Sequence, residues 1–331
     1  FSTIKTSVNL FEDAYDSEEI GLSLSTNLKI PLTRINRNLK DLELQTRIDF
    51  LQGEFQQNYA NDSNQNYAFL NLGIHPILRL DWEKLNIKLG TKFYLSSDLE
   101  NSLTNILAYP DIEISYPLNS GLLNIYSGAS GDLHMNSYQS LSDVNPFVSP
   151  TLFLTQTNEQ YNLFGGINGT LSSSISFNLK ANYKKDEDHA LFIRNNSKSN
   201  GEFSNSTSLL GYEYGNSFSV FYDDISTFSI LAELEVAASK KLQLGGNLQI
   251  NSYTTNFQQR AWNLPKIEGA IFGKYQNNNW YANANMFFVG ERLDVNYNNT
   301  FPSSISNIQS LQGFADINVN GGYHFNDSLS A

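Results

Sequence analysis

His75, His134, His189 and His324 are the side chains of this 331-residue chain best suited to metal ligation or proton transfer, and their spacing supports neither. No two stand at a metal-ligand interval, and the absence of cysteine excludes a Cys-ligated zinc site and a disulfide framework. A hydrolase needs a serine or aspartate positioned beside a histidine, and no local motif supplies one. The expectation is no enzyme and no cofactor. The acidic run Glu12, Asp13, Asp16, Glu18 and Glu19 offers carboxylates to Ca²⁺ but lacks the ordered ligand spacing of a calcium loop, so a solvated acidic loop is expected.

Two other groups carry chemistry of a different kind. Lys180 and Lys184 on one strand, with Glu233 and Glu235 on the next, are expected to face each other as paired charges inside the fold. The aromatic and Asn-rich connections holding Tyr253, Phe257, Arg260 and Trp262, and then Arg292 and Tyr297, are the expected ligand-contacting segments. Tyr and Trp stack on sugars or apolar ligands, Asn supplies donors and acceptors, and loops on a rigid scaffold carry recognition.

The elements that position these residues are strands. The segment 266–291, KIEGAIFGKYQNNNWYANANMFFVGE, places Ile267, Gly269, Ile271, Gly273 and Tyr275 on one parity and Lys266, Glu268 and Lys274 on the other. After Asn277 to Asn279 the pattern restarts, with Trp280, Ala282, Ala284, Met286 and Phe288 on the uncharged side. Successive strand residues point to opposite faces, so this is a hairpin with one apolar face and one mostly polar face. Roughly fourteen such strands are expected along the chain. Pro31 ends one, Pro76 marks a bulge in 67–82, and a short strand holds Ile112, Ile114 and Tyr116.

Every expected strand has one parity free of Asp, Glu, Lys and Arg. Connections alternate between short (83–84, 119–121, 172–173, 239–241, 277–279, 326–328) and long (54–66, 97–109, 134–157, 185–216, 253–264, 292–309), with 31–40 fitting least well. A soluble sandwich or solenoid core explains the first regularity but not the second. An antiparallel transmembrane β-barrel explains both, with tight periplasmic turns, long outer loops, and a cost of ~2–4 kcal/mol for a charge facing lipid at mid-depth. Trp82, Trp280, Tyr116, Tyr183, Tyr275 and Tyr323 lie near expected turns, where interfacial aromatic girdles belong.

Bulk composition agrees. A net charge of −12 excludes a nucleic-acid partner, and only 16% of residues are charged. No apolar run approaches the ~18 residues of a membrane helix, whereas a barrel strand needs ~10 and hides them in alternation. Phe1 already lies in an alternating strand and the last residues follow a turn, so 1–331 is expected to be a single barrel domain cut from a longer protein.

Arg260 to Asp294 resembles the C-terminal barrel strands of TonB-dependent receptors. The matching features are Asn263, Pro265 and Lys266 entering a strand, Trp280 leading the return strand, and the closing Val289 to Arg292. The segment LQGFADINVNGGYHFNDSLSA resembles that family's penultimate strand and periplasmic turn, and NPFVSP at 145–150 fits more loosely. The resemblance implies an outer-membrane barrel, in contact with outer-membrane lipid, that takes up a scarce ligand with energy delivered through TonB. The family's plug, TonB box and aromatic-ended final strand are not among these residues. Two alternatives stay open: a plugless barrel acting as a channel or as scaffold of an outer-membrane complex, and a secreted soluble β adhesin.

Overall fold

A computed structural model describes every residue except 1, 62, 119–121, 200–208, 278, 299–303, 327–328 and 331. The strands are β1 (Ser2–Glu12), β2 (Glu18–Pro31), β3 (Leu39–Phe55), β4 (Gln65–Trp82), β5 (Leu85–Asp98), β6 (Leu103–Leu118), β7 (Leu123–His134), β8 (Thr157–Ser172) and β9 (Ile175–Arg194). They continue with β10 (Phe218–Ala237), β11 (Leu242–Thr255), β12 (Ile267–Gln276), β13 (Trp280–Val289), β14 (Arg292–Tyr297), β15 (Ile305–Leu311), β16 (Phe314–Asn326) and β17 (Leu329–Ser330). One helix, α1 (Tyr138–Val144), interrupts the series. β1 to β13, β16 and the two-residue β17 form one antiparallel sheet in sequence order, and β14 and β15 form a separate hairpin.

The register fixes which side chains share a face. Leu22 lies opposite Phe50, Phe50 opposite Leu70, Leu89 opposite Ile112, Leu163 opposite Tyr183, Leu234 opposite Gly246, and Ile271 opposite Met286. Following such rows from β1 to β16 traces one continuous uncharged face. Its large side chains are exposed: Ile4 at 73%, Leu28 at 45%, Ile271 at 64% and Val319 at 73%. The opposite face buries carboxylates, with Asp41, Glu43, Asp49, Asp111, Asp186 and Asp223 at most 9% exposed. That inversion is what lipid outside and a polar lumen inside require.

The sheet is curled. The rings of Tyr15 and Tyr212 meet edge to face at 4.9 Å, one in the β1–β2 connection and the other in the β9–β10 connection. β2 and β9 are seven places apart, about 34 Å in a flat sheet. The described residues of connections 13–17, 56–64, 99–102, 135–156, 195–217, 256–266 and 290–313 lie at one end, and those of 32–38, 83–84, 173–174, 238–241 and the β6–β7 and β12–β13 connections at the other.

Trp82, Tyr116, Tyr275 and Trp280 stand on the uncharged face at the short-turn end, where Trp280 packs edge-on against Tyr323 at 4.8 Å. Tyr183 does not adjoin a turn as the sequence suggested. It lies about 26 Å along β9 from Ile175, against Tyr161 and opposite Phe228. It therefore marks the far edge of the apolar band, and immediately beyond it Lys185 pairs with Tyr161, so charge returns to both faces.

Several expected connections are strand. β9 runs to Arg194, β6 begins at Leu103, and 292–309 contains most of the β14–β15 hairpin. These segments rise above the apolar band, where alternation no longer separates apolar from charged residues. Pro110 is no break in β6: it pairs with Thr91 of β5, while the β6–β7 ladder starts at Asp111, the residue after it. Pro76 is no bulge either. The β4–β5 register is unchanged across it, and only the ladder positions of His75 and Pro76 are skipped. The turn 119–121, residue 278 of the next turn, 327–328, 200–208 of the expected longest connection and Phe301 lie outside the described residues.

If the uncharged face meets lipid, Leu179→Arg, at mid-height on β9, lowers stability by about 2–4 kcal/mol in urea unfolding from lipid vesicles. Ser176→Arg, on the inward face opposite Glu235, changes it by less than about 1 kcal/mol.

Candidate functional site

The inner wall of β2 to β7 carries a ladder of ion pairs. Asp41 receives Lys29 at 3.0 Å and Arg79 at 2.9 Å, and Arg79 also reaches Glu43. Arg47 pairs with Asp49, Lys88 and His75 share Asp111 at 2.6 and 2.8 Å, and Lys92 meets Asp132 at 2.6 Å. Arg47, His75, Arg79, Lys88, Lys92, Asp111 and Asp132 of this row, with Lys5 of β1, line a cavity of about 500 Å³. Each cation in the row already has a carboxylate, so the arrangement makes a wet, rigid wall rather than an anion site. His134 and His189 likewise sit against Glu159 and Asp186, and among the described residues no group of His, Asp and Glu could hold a metal.

Above this wall the 135–156 connection folds inward instead of standing in solvent. Ser137 caps α1 in a reciprocal capping box with Ser140. Tyr138, Leu141, Val148, Leu152 and Leu154 pack against Leu51, Phe55, Tyr67 and Phe69 of β3 and β4 and against Val220 of β10. The acidic run expected to be a solvated loop is the tether. Glu19, 6% exposed, accepts the Tyr138 N–H at 2.6 Å, the Gln139 N–H at 3.1 Å and the Tyr67 hydroxyl at 2.7 Å. Gly53 makes room, since a Cβ there would fall 2.2 Å from the Tyr67 hydroxyl oxygen. Asp13 accepts the Tyr138 hydroxyl at 2.7 Å, and burial together with that carboxylate pushes the Tyr138 phenol above its usual range. The sequence reading missed this segment. Its signal was the recurrence of Leu141, Val144, Phe147, Val148, Leu152, Phe153 and Leu154 inside a long connection.

The expected ligand residues divide in two. Trp262 is 4% exposed and packs with Leu191, Ile193, Ile225 and Val295, joined by Tyr253 and Tyr297. The Tyr253 hydroxyl donates to Pro265 O at 3.0 Å and the Tyr297 hydroxyl to Arg194 O at 2.9 Å, while the Arg292 guanidinium lies 5.5 Å from the Phe314 ring. Trp262, Tyr253 and Tyr297 hold the β11–β12 connection and the β14–β15 hairpin down over β9, and Arg292 fastens the start of β14 to β16. Phe257, 74% exposed, and Arg260, also exposed, remain outside that packing. Buried Asp223 anchors their loop by accepting the N–H groups of Asn256, Phe257 and Gln258 at 3.1, 2.8 and 2.8 Å.

Lys180, Lys184, Glu233 and Glu235 all face inward, but not at the same height. Lys180 lies opposite Leu231 and over the Phe164 ring at 4.6 Å, and Lys184 lies opposite Thr227 and pairs with Asp186 at 2.7 Å. Glu233 and Glu235 sit lower and accept from Asn178 at 2.7 Å and from Gln243. The β9–β10 register, with Ile175 opposite Val236, offsets the two charge pairs by several residues.

Glu19→Ala strands three buried donors and is expected to cost about 2–5 kcal/mol of the local stability of 135–156, seen as rapid amide exchange at Tyr138 and Gln139 with exchange in β12 and β13 unchanged. Asp223→Ala is expected to open 256–264 to proteolysis without affecting 135–156.

No family model matches the chain, and no curated protein sequence matches it. Solved structures do. The copper transporter OprC is 13% identical with a TM-score of 0.55, over 94% of this chain and 49% of its own. The pyoverdine outer membrane receptor FpvA from Pseudomonas aeruginosa PAO1 is 12% identical at 0.60, over 99% and 48%. A ferric enterobactin receptor (PfeA) mutant from Pseudomonas aeruginosa is 12% identical at 0.60, over 99% and 51%. The chain spans about half the length of these structures. Its fold is that of the TonB-dependent outer-membrane receptor barrel.

Proposed function

We propose that the chain is the larger part of the barrel of an outer-membrane receptor, with 1–331 a single domain within it, and that the whole protein takes up a scarce ligand. The observation that carries this reading is the 135–156 segment held inside the wall by Glu19 and Asp13. A connection packed across a lumen makes a selective site, whereas a general diffusion channel needs an open one. Phe147 and Phe153 on that segment, 65% and 63% exposed, together with Phe257 and Arg260 on 256–266, form the proposed ligand-contacting set. Aromatic faces with one cation suit an aromatic or conjugated ligand that carries negative charge. The solved receptors with this fold include one bound to pyoverdine and one named for ferric enterobactin. Uptake would be energised by TonB through a plug and box elsewhere in the protein, with the short turns facing the periplasm and the wall in outer-membrane lipid.

The test is uptake of a panel of ferric siderophores by cells expressing the full-length gene. Saturable uptake that a protonophore abolishes, and that Phe153→Ala together with Phe257→Ala lowers about tenfold or more, is expected. Protonophore-insensitive flux indicates a channel, and outer-membrane insertion without any flux indicates a scaffold; either result contradicts the proposal.

A further inference from the structure

On the uncharged face, β10 to β13 carry a groove of about 680 Å³ lined by Leu234, Leu244, Leu248, Ile271, Met286 and Phe288. Its floor is bare backbone at Gly246 and Gly269, which lie in register with Leu234 and Ile271 and with Leu248 and Phe288. No side chain can fill it from below, because a Cβ at Gly246 would meet Ala270 O at 2.8 Å and one at Gly269 would meet Asn247 O at 2.6 Å. The groove points away from the lumen, so no ligand passing through the barrel reaches it.

Charge at the adjacent barrel end points to the occupant. Among the described residues the short-turn connections carry Arg34, Arg37, Lys84, Lys240 and Lys241 against the single acid Glu83. Lys240 and Lys241 are exposed, make no ion pair among the described residues, and sit on the turn joining the two strands that form one side of the groove. From Lys241 to Gly246 is about 16 Å along β11, close to the ~15 Å depth of one leaflet's hydrocarbon. Tyr275, opposite Leu242, marks the interface at that height.

We propose that this groove binds one anionic glycerophospholipid of the leaflet at the short-turn end, its phosphate on Lys240 and Lys241 and one acyl chain lying over Gly246 and Gly269. The inference rests on the outer-membrane barrel reading. The cations supply the headgroup contact, and the fixed groove removes the need for wall side chains to reorganise around a tail.

The full-length protein, extracted in detergent and titrated with phosphatidylglycerol under native mass spectrometry, tests it. One retained lipid per protein is expected. The double variant Lys240→Ser, Lys241→Ser weakens it roughly thirtyfold, and Ala232→Phe, which fills the groove from its exposed rim, abolishes it while the fold is kept. Retention untouched by Ala232→Phe overturns the groove, as does retention of many lipids equally in all variants. A protein that stays in solution without detergent overturns the barrel reading instead, so the two failures are distinct.

Discussion

The structure depends on one exclusion: no ionised side chain lies on the outer parity of the wall through the apolar band. In a water-soluble sheet the same residues would form a core and the carboxylates would lie outside. Here Ile4, Leu28, Ile271 and Val319 stand exposed while Asp41, Glu43, Asp49 and Asp111 are buried. Buried acids are tolerable only with partners, and the ladder of Lys29, Arg79, Arg47, Lys88 and Lys92 provides them. Outer apolarity and inner ion pairing are two consequences of one constraint, because every strand must satisfy lipid on one side and water on the other.

The same constraint sets where function resides. A wall whose outer face is committed to lipid and whose inner face is committed to paired charges has little chemistry to spare. The proposed recognition falls to segments above the band, and there the chain folds inward twice. The 135–156 segment is held by carboxylates of the β1–β2 end, and the β14–β15 hairpin with the β11–β12 connection is held by an apolar cluster around Trp262 and Val295. Both attachments combine an apolar cluster with hydrogen bonds, the first to the carboxylates Glu19 and Asp13 and the second to backbone carbonyls and to Asp223.

Alternation is legible in sequence because it is a local property enforced at every second residue. The fourteen long strands of the sheet, the uncharged parity and the Trp82, Tyr275 and Trp280 belt all follow from it. What was not legible depended on height. Above Tyr183 both faces meet water, the pattern loses its contrast, and the ten residues of β9 from 185 to Arg194 read as loop. Height also decides partners: the inward direction of Lys180 and Glu233 follows from parity, but their offset follows from the β9–β10 register, which a long connection between the two strands leaves open in the sequence. Of the proposed contact set, Phe257 and Arg260 were named from loop composition, whereas Phe147 and Phe153 were not, because an inward-folding connection has the apolar content of a core and the length of a loop.

The claim on which everything else rests is that odd-numbered residues of β9 from Ile175 to Tyr183 face lipid and even-numbered ones face water. The chain has no cysteine, so single Cys substitutions can carry spin labels at 175 to 184 in turn. Collision with dissolved oxygen and with a water-soluble nickel chelate, measured in lipid vesicles, reports the two environments. A strict two-residue alternation, oxygen-accessible at 175, 177, 179, 181 and 183 and nickel-accessible between them, is the predicted result. Equal nickel accessibility on both faces, or alternation in the opposite phase, would contradict the account.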